Sequence, residues 1–235
     1  MKSPRLHRRF GVFVAVLAVL APVTLMAQPA SAFPPGDSVI AFNYIVKATA
    51  TIKKANLTMS PPPGMFKGQV DLDKGKLVGS IYIPPTSFTQ TIGGPLSVTA
   101  TAAIVSTKPV TGTVKLANFK ITATSTFNIR ILTMYVDTPA PPTITLPGLP
   151  GMPPVTITVP TLPVPKVNLV GNNCVTASPI SVTMSGIAHI GAASTFSGTF
   201  SIPKFKSCSL ATALLNQEVP GPGNTFSATA TPPPD

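Results

Sequence analysis

Period-two alternation of apolar and polar residues is the feature that most constrains the fold of this chain. Val, Ile and Thr recur within it, and it covers residues 39–57, 97–105, 110–136, 167–170, 180–190, 195–202 and 225–231. Successive side chains of a strand point to opposite faces of a sheet, and β-branched residues favour strands. The pattern predicts an all-β fold, either an antiparallel β-sandwich or a barrel-like domain.

Turn and cap residues divide this pattern into elements. Residues 66–83 predict two strands joined at Asp73-Lys74-Gly75, where glycine can adopt the positive φ that a hairpin turn needs. Lys108-Pro109 and Asn118 predict two further turns. One short C-terminal helix is predicted over residues 209–217, with Ser209 as its N-cap.

One strand unit recurs three times with the spacing apolar-x-Gly-x-apolar-x-apolar. It begins at Phe66, at Val110 and at Phe196, with its glycine at Gly68, Gly112 and Gly198. Its apolar positions and its glycine lie on one face of a strand. A glycine on that face leaves room for a bulky neighbour or marks a bulge. We therefore interpret the unit as one type of β-strand that the fold uses three times.

Residues 138–166 are rich in proline and carry no charge between Asp137 and Lys166. A flexible linker between domains is usually polar, and proline is tolerated in edge strands and extended segments. We expect a Pro-rich extended arm or edge hairpin that turns near residues 148–154, within a single β-domain spanning residues 33–235. A disordered segment is the alternative interpretation.

The N-terminus has the order of a secretory signal peptide over residues 1–32. Four basic residues precede an apolar stretch over residues 10–26, and Ala30-Ser31-Ala32 supplies the small residues of a cleavage site between Ala32 and Phe33. The lack of a lipoprotein cysteine and of a wall-sorting signal predicts no covalent anchor. We expect a secreted or extracellular protein, associated with the cell envelope, with no transmembrane segment after the signal is removed.

Charge limits the classes of partner. The whole chain has a net charge of +11, and removal of the signal leaves thirteen Lys and Arg against six acids, a net charge of +7. The remaining basic residues are scattered, whereas nucleic-acid binding requires clustered ones. We expect no nucleic-acid partner, and lipids or anionic envelope polymers as possible partners. The sequence does not determine the oligomeric state.

Two cysteines, Cys174 and Cys208, remain in the mature chain. In an exported protein a pair of cysteines predicts a disulfide. A metal site is the competing interpretation, but the neighbouring sequence holds no further ligand, and we expect no metal and no cofactor.

Catalytic candidates are few. The mature chain has one histidine, His189, and a Ser-His-Asp arrangement could pair it with Asp71 or Asp137. No Gly-x-Ser-x-Gly elbow is present. His189 falls in an alternating stretch and Asp71 at a predicted hairpin turn, so both also fit ordinary structural roles. His189 and Asp71 are kept as the candidate catalytic residues.

Four segments resemble a group of small exported actinobacterial proteins: VNLVGNNCVTASPISVTMSG, STFSGTFSIPKFKSC, VPGPGNTFSATATPPP and GMFKGQVDLDKGKLVGSIYIPP. Most of that group are described as secreted proteins of unknown function, and some similar chains are labelled cholesterol esterase. The resemblance implies a Gram-positive, high-GC host and a two-Cys β-fold.

These observations lead to three hypotheses of function. The first is a non-enzymatic exported β-protein of the envelope that contacts lipids or other apolar ligands. The alternative is a secreted esterase, a carboxylic ester hydrolase acting on sterol or other lipid esters. The third is a lipid carrier, since apolar β-surface with few polar groups suits an enclosed lipid-like ligand. The same apolar residues also fit an ordinary packed core.

Overall fold

The computed structural model describes residues 33, 38–93, 96–137, 143–146, 155–158, 166–189 and 191–234. The predicted signal peptide lies outside these residues. The strands, numbered along the chain, are β1 (Val39–Ile52), β2 (Leu57–Met59), β3 (Gly64–Asp71), β4 (Lys76–Tyr82), β5 (Thr86–Gly93), β6 (Leu96–Lys115), β7 (Lys120–Asp137), β8 (Thr143–Leu146), β9 (Val155–Thr158), β10 (Val175–Thr176), β11 (Ile180–Ile187), β12 (Ser194–Ile202), β13 (Phe205–Lys206) and β14 (Gly221–Thr231). A 3-10 turn (Ser209–Ala211) leads into the short helix α1 (Thr212–Glu218). The all-β prediction is confirmed.

Eight of these strands form a closed circuit. The pairing order is β7-β11-β12-β14-β1-β3-β4-β6, and β6 pairs in turn with β7. Every pairing in the circuit is antiparallel. Of the two architectures expected, the sheet is therefore the barrel-like one.

The two faces of the circuit differ in chemistry as the alternation predicts. Along β1, Val46 and Ala48 are buried inside, whereas Lys47 and Thr49 are exposed outside. Threonines on the outer face pair across strands, as Thr124 and Thr183 do with 3.1 Å between their hydroxyl oxygens. Hydroxyl side chains thus cover much of the outer surface of a chain with few charges.

One end of the circuit is closed by the largest hydrophobic cluster. The long strands β6 and β7 run on past the circuit, where β5 pairs with β6 and β10 with β7. The disulfide Cys174–Cys208 is fully buried there against Ile180, Ile202 and Leu215 of α1. The predicted disulfide is confirmed, and it ties β10 and β13 to the segment that carries the helix.

Several predicted boundaries were wrong. Lys108-Pro109 lies inside β6 and not at a turn, because the β6–β7 ladder shifts register there, and proline without an N–H is tolerated at a bulge. Residues 167–170 form no strand, and Leu169 instead donates a single backbone hydrogen bond to Met134 O. Ser209 makes no side-chain cap, since a 3-10 turn begins at this residue and α1 begins only at Thr212.

The Pro-rich segment contains a paired hairpin. Strands β8 and β9 form a separate two-stranded antiparallel sheet, with Leu146 paired to Val155. The predicted turn near residues 148–154 lies outside the described residues.

Candidate functional site

The closed sheet surrounds an apolar cavity of about 370 Å³. All eight strands of the circuit contribute to its wall. Its central lining residues are Phe42, Tyr44, Val46, Phe66, Ile81, Met184, Phe196 and Phe226. Hydroxyl groups in the wall come from Tyr44 and Ser194, so the cavity is a mostly apolar site with few polar groups, as small-molecule sites commonly are.

The recurring strand unit builds much of this wall. Its apolar positions Phe66 and Val70 on β3, Val110 and Val114 on β6, and Phe196 on β12 all face the cavity. The period of two places them on the inner face while lysine and threonine occupy the outer face. The unit that the sequence displays is therefore a signature of the cavity wall.

Glycines within the wall make room for aromatic rings. Gly68 and Gly79 lie opposite each other in the β3–β4 ladder. A Cβ atom on Gly68 would stand 2.9 Å from the Phe42 ring, and one on Gly79 would stand 2.6 Å from the Phe66 ring. The two rings can thus lie against the wall, which keeps the middle of the cavity open.

Small side chains on the neighbouring strands have the same effect. Three buried alanines lie on the inner face, namely Ala48 of β1 and Ala228 and Ala230 of β14. The alternating pattern requires an apolar side chain at these positions but does not fix its size. Ala123 of β7 lines the cavity in the same way. Alanine fills far less volume than leucine, so these positions leave space that a packed core would fill.

A second, smaller cavity of about 80 Å³ lies deeper in the circuit. Ile81, Met184 and Phe226 line both cavities. Its polar lining residues are Ser125 and Thr86, and the rest of its wall is apolar. The two cavities therefore follow one another along the interior, with three shared side chains between them.

The larger cavity opens at the end of the circuit opposite the disulfide. The β3–β4 turn, the β6–β7 turn and the segment after β11 meet at this end, because Asp71 pairs with Lys76, Lys115 with Lys120, and Ile187 with Lys120. We call the opening the mouth and define it by Ile40, Leu72, Leu116, Phe119 and Ala188, all of which line the cavity. The mouth is apolar.

Asp71 has the surroundings of a structural turn residue. Its carboxylate accepts hydrogen bonds from the backbone N–H and from Nζ of Lys74, both at 3.0 Å. The backbone hydrogen bond and then the side-chain hydrogen bond from Lys74 lower the pKa of Asp71 below its ordinary value. The positive φ of 57° at Gly75 confirms the predicted hairpin turn.

His189 lies beyond the end of β11 and is exposed, so the prediction of a strand to residue 190 ran too far. Its backbone N–H donates a 2.8 Å hydrogen bond to Oγ of Ser194, which is buried and lines the cavity. No hydrogen bond joins the described side chains of His189 and Asp71. Asp137, the other aspartate that could pair with His189, accepts hydrogen bonds from the side chains of Ser97 and Thr99.

The remaining predicted site residues concern processing and metals. Ala32 lies outside the described residues, whereas the backbone N of Phe33 donates to Oε1 of Gln69 at 2.9 Å. Within the described ranges, no cluster of three metal-ligating side chains occurs. In the same part of the chain, no helix has the length and apolar character needed to cross a membrane.

Comparison with known proteins adds no relative: no family model matches the chain, and neither a curated protein nor a solved structure matches it significantly.

The sequence analysis identified the apolar β-surface but did not identify the residues that line the cavity. The recurring unit on β3, β6 and β12 was the signal that could have located three strands of the wall.

Proposed function

We propose that this protein is an exported, non-enzymatic carrier that holds an apolar ligand with an acyl chain in its interior cavity. The observation that carries the proposal is the apolar cavity of about 370 Å³ enclosed by the eight-stranded circuit. Sites for small ligands typically measure about 300–1,000 Å³, so the volume suits a ligand. Packed protein interiors hold few voids larger than a water molecule, which argues against a packing defect.

The chemistry of the wall favours a hydrocarbon over water. An apolar wall offers water too few hydrogen-bond partners to hold it, and apolar cavities of this kind bind apolar molecules. The sequential arrangement of the two cavities favours a narrow, flexible chain over a wide rigid ring system. An acyl chain in the larger cavity would point its end toward Met184 and the smaller cavity.

Export is part of the proposal. The signal-like residues 1–32 support it, as does the disulfide Cys174–Cys208, since disulfides persist in oxidising compartments. A protein of the cell envelope would meet acyl lipids in its own surroundings. The resemblance to exported actinobacterial proteins agrees with this location.

An esterase acting on lipid esters is the second candidate, and one observation favours it. Ser194 places a buried hydroxyl in the cavity wall beside the backbone of His189. For catalysis the imidazole would have to reach that hydroxyl and act as a general base. Hydrolysis of chromogenic acyl esters tests this directly, with Ser194→Ala expected to abolish turnover and Ser197→Ala, on the exposed outer face of β12, expected to preserve it.

The carrier proposal is tested by binding of a fluorescent polyene fatty acid in vesicle-free buffer. We expect saturable binding that an unlabelled fatty acid displaces, without hydrolysis of acyl esters. Ala230→Leu, which fills the cavity, should abolish binding, whereas Ala41→Leu on the exposed outer face of β1 should leave it unchanged. Binding that does not saturate, or equal binding by Ala230→Leu and Ala41→Leu, would contradict the carrier proposal.

A further inference from the structure

The mouth exposes large apolar side chains that no other described part of the chain covers. Ile40 is 53% exposed, Leu116 42% and Phe119 43%. All three also line the cavity, so one continuous apolar surface leads from solvent into the interior. Contiguous exposed apolar surface of this kind marks a site of interaction with a protein or a membrane.

Phe119 is held at the mouth in an unfavourable backbone conformation. Its φ is 51°, in the left-handed region that bulky residues rarely occupy. Its carbonyl accepts a 2.9 Å hydrogen bond from the N–H of Ala188, which fixes the β6–β7 turn to the segment after β11. Such strain persists where the surrounding structure enforces it, and it is concentrated at functional sites.

Lysines surround this apolar surface. Lys74, Lys76, Lys115 and Lys120 all lie at the strand ends and turns of the mouth end and are exposed. The acids described at this end are Asp71, which is paired with Lys74, and Asp73. For the described residues, four positive charges therefore stand against two negative ones, and such an excess complements an anionic surface.

From this combination we propose that the mouth docks onto an anionic lipid surface, so that an acyl ligand passes between the membrane and the cavity without crossing water. The inference rests on the proposed carrier function and adds the partner from which the ligand comes. Ile40, Leu116 and Phe119 would enter the interface between headgroups and acyl chains, as the apolar faces of peripheral membrane proteins do. The lysines would contact the phosphate groups.

The test is co-sedimentation of the mature protein with vesicles of phosphatidylcholine, with and without phosphatidylglycerol. We expect binding to the anionic vesicles that weakens as salt is raised, and much weaker binding to phosphatidylcholine alone. Phe119→Asn is the main variant, because asparagine tolerates the left-handed backbone while the apolar ring is removed. It should bind anionic vesicles about tenfold more weakly.

Two further variants complete the design. Leu210→Asn is the matched control, because Leu210 is 81% exposed but lies next to the disulfide at the closed end. It should bind like the natural sequence. The double variant Lys115→Gln/Lys120→Gln should lose the salt-dependent part of the binding. Because it leaves the apolar mouth intact, it still tests the inference if Phe119→Asn fails to fold.

Several results of these binding experiments would overturn the docking inference. Absence of vesicle binding, equal binding to both vesicle types, or equal loss in the Leu210 and Phe119 variants would contradict it. A mass in solution that falls from dimer to monomer in Phe119→Asn would assign the mouth to a second copy of the chain. Binding of the fluorescent fatty acid in vesicle-free buffer decides the carrier function separately, so a failure of membrane docking can be distinguished from a failure of the carrier function.

Discussion

Met184 lies opposite Gly198 in the β11–β12 ladder, and its side chain lines both interior cavities. A Cβ atom on Gly198 would stand 2.3 Å from the carbonyl oxygen of Thr183, so the two strands approach closely at this point. The flexible methionine side chain therefore faces the space between the cavities from a tightly paired part of the wall. This position makes Met184 a determinant of how deeply a ligand can enter.

Met184→Ala should lengthen the preferred ligand. Removal of the side chain would join the two cavities, and a longer acyl chain could then fill the added space. Displacement of a fluorescent fatty acid by unlabelled chains of increasing length measures the preference. The ligand-free protein should also lose about 2 kcal/mol of stability, the low end for truncating a methionine that is only partly buried.

Ser185→Ala is the control for this variant, because Ser185 is the exposed neighbour on the outer face of β11. It should change neither the length preference nor the stability. An unchanged length preference in Met184→Ala would mean that ligands do not reach this depth.

Asn224→Ala should destabilise the fold. Asn224 is 1% exposed, its Oδ1 accepts from Lys53 N, and its Nδ2 donates to the carbonyls of Phe200 and Gly221. Truncation leaves these backbone groups without partners, which costs about 2–4 kcal/mol. Urea denaturation measures the loss, with Asn43→Ala on the outer face expected to stay within about 0.5 kcal/mol. An equally small effect for both variants would show that the Asn224 contacts are dispensable.

Asp71→Asn should lower thermal stability in a pH-dependent way. Because the hydrogen bonds from Lys74 lower the pKa of Asp71 in the folded protein below its ordinary value, its stabilising effect is fully present above that ordinary value. The effect is lost as the pH falls through the lowered pKa. Melting curves should therefore separate Asp71→Asn from the natural protein at pH 7 and bring the two together in strong acid. A difference that persists unchanged in acid would contradict this, and Asp73→Asn is the matched control.

Removal of the disulfide by Cys174→Ala/Cys208→Ala should cost roughly 3–4 kcal/mol, since the bond closes a loop with a sequence separation of 34 residues. The disulfide lies at the closed end, away from the mouth, so affinity for the fluorescent fatty acid should remain close to that of the natural protein. Denaturation curves and binding titrations on the same samples separate the two effects. Loss of binding by a variant that is still folded would mean that the closed end shapes the cavity.

Local signals in the sequence predicted much of the fold. The alternation located most strands because each has one face in the interior and one toward solvent, as Val46 and Lys47 show. Gly75 predicted its turn through the positive φ that the hairpin requires. The two cysteines predicted their own pairing because the chain offers no other partner.

The cavity was beyond sequence reasoning because it depends on pairings between distant residues. Closure requires β1 to pair with β14, which brings Ile45 opposite Thr231, and β7 to pair with β11, which brings Lys120 opposite Ile187. An inward alanine such as Ala228 can equally belong to a packed core, and only the register of all eight strands decides whether space remains around it. The prediction of a turn at Pro109 was wrong because the register shift between β6 and the following strand β7 accommodates a proline inside a strand.

Native mass spectrometry of the mature protein, purified from a host that makes acyl lipids, tests the carrier most directly. We expect the natural protein and Ala41→Leu to carry a bound mass that organic extraction releases as an acyl lipid. Ala228→Leu should carry none and, with its cavity filled, should gain about 0.5–2 kcal/mol of stability. An empty natural protein, together with a loss of about 1–3 kcal/mol in Ala228→Leu, would instead identify the interior as a fully packed core and contradict the account.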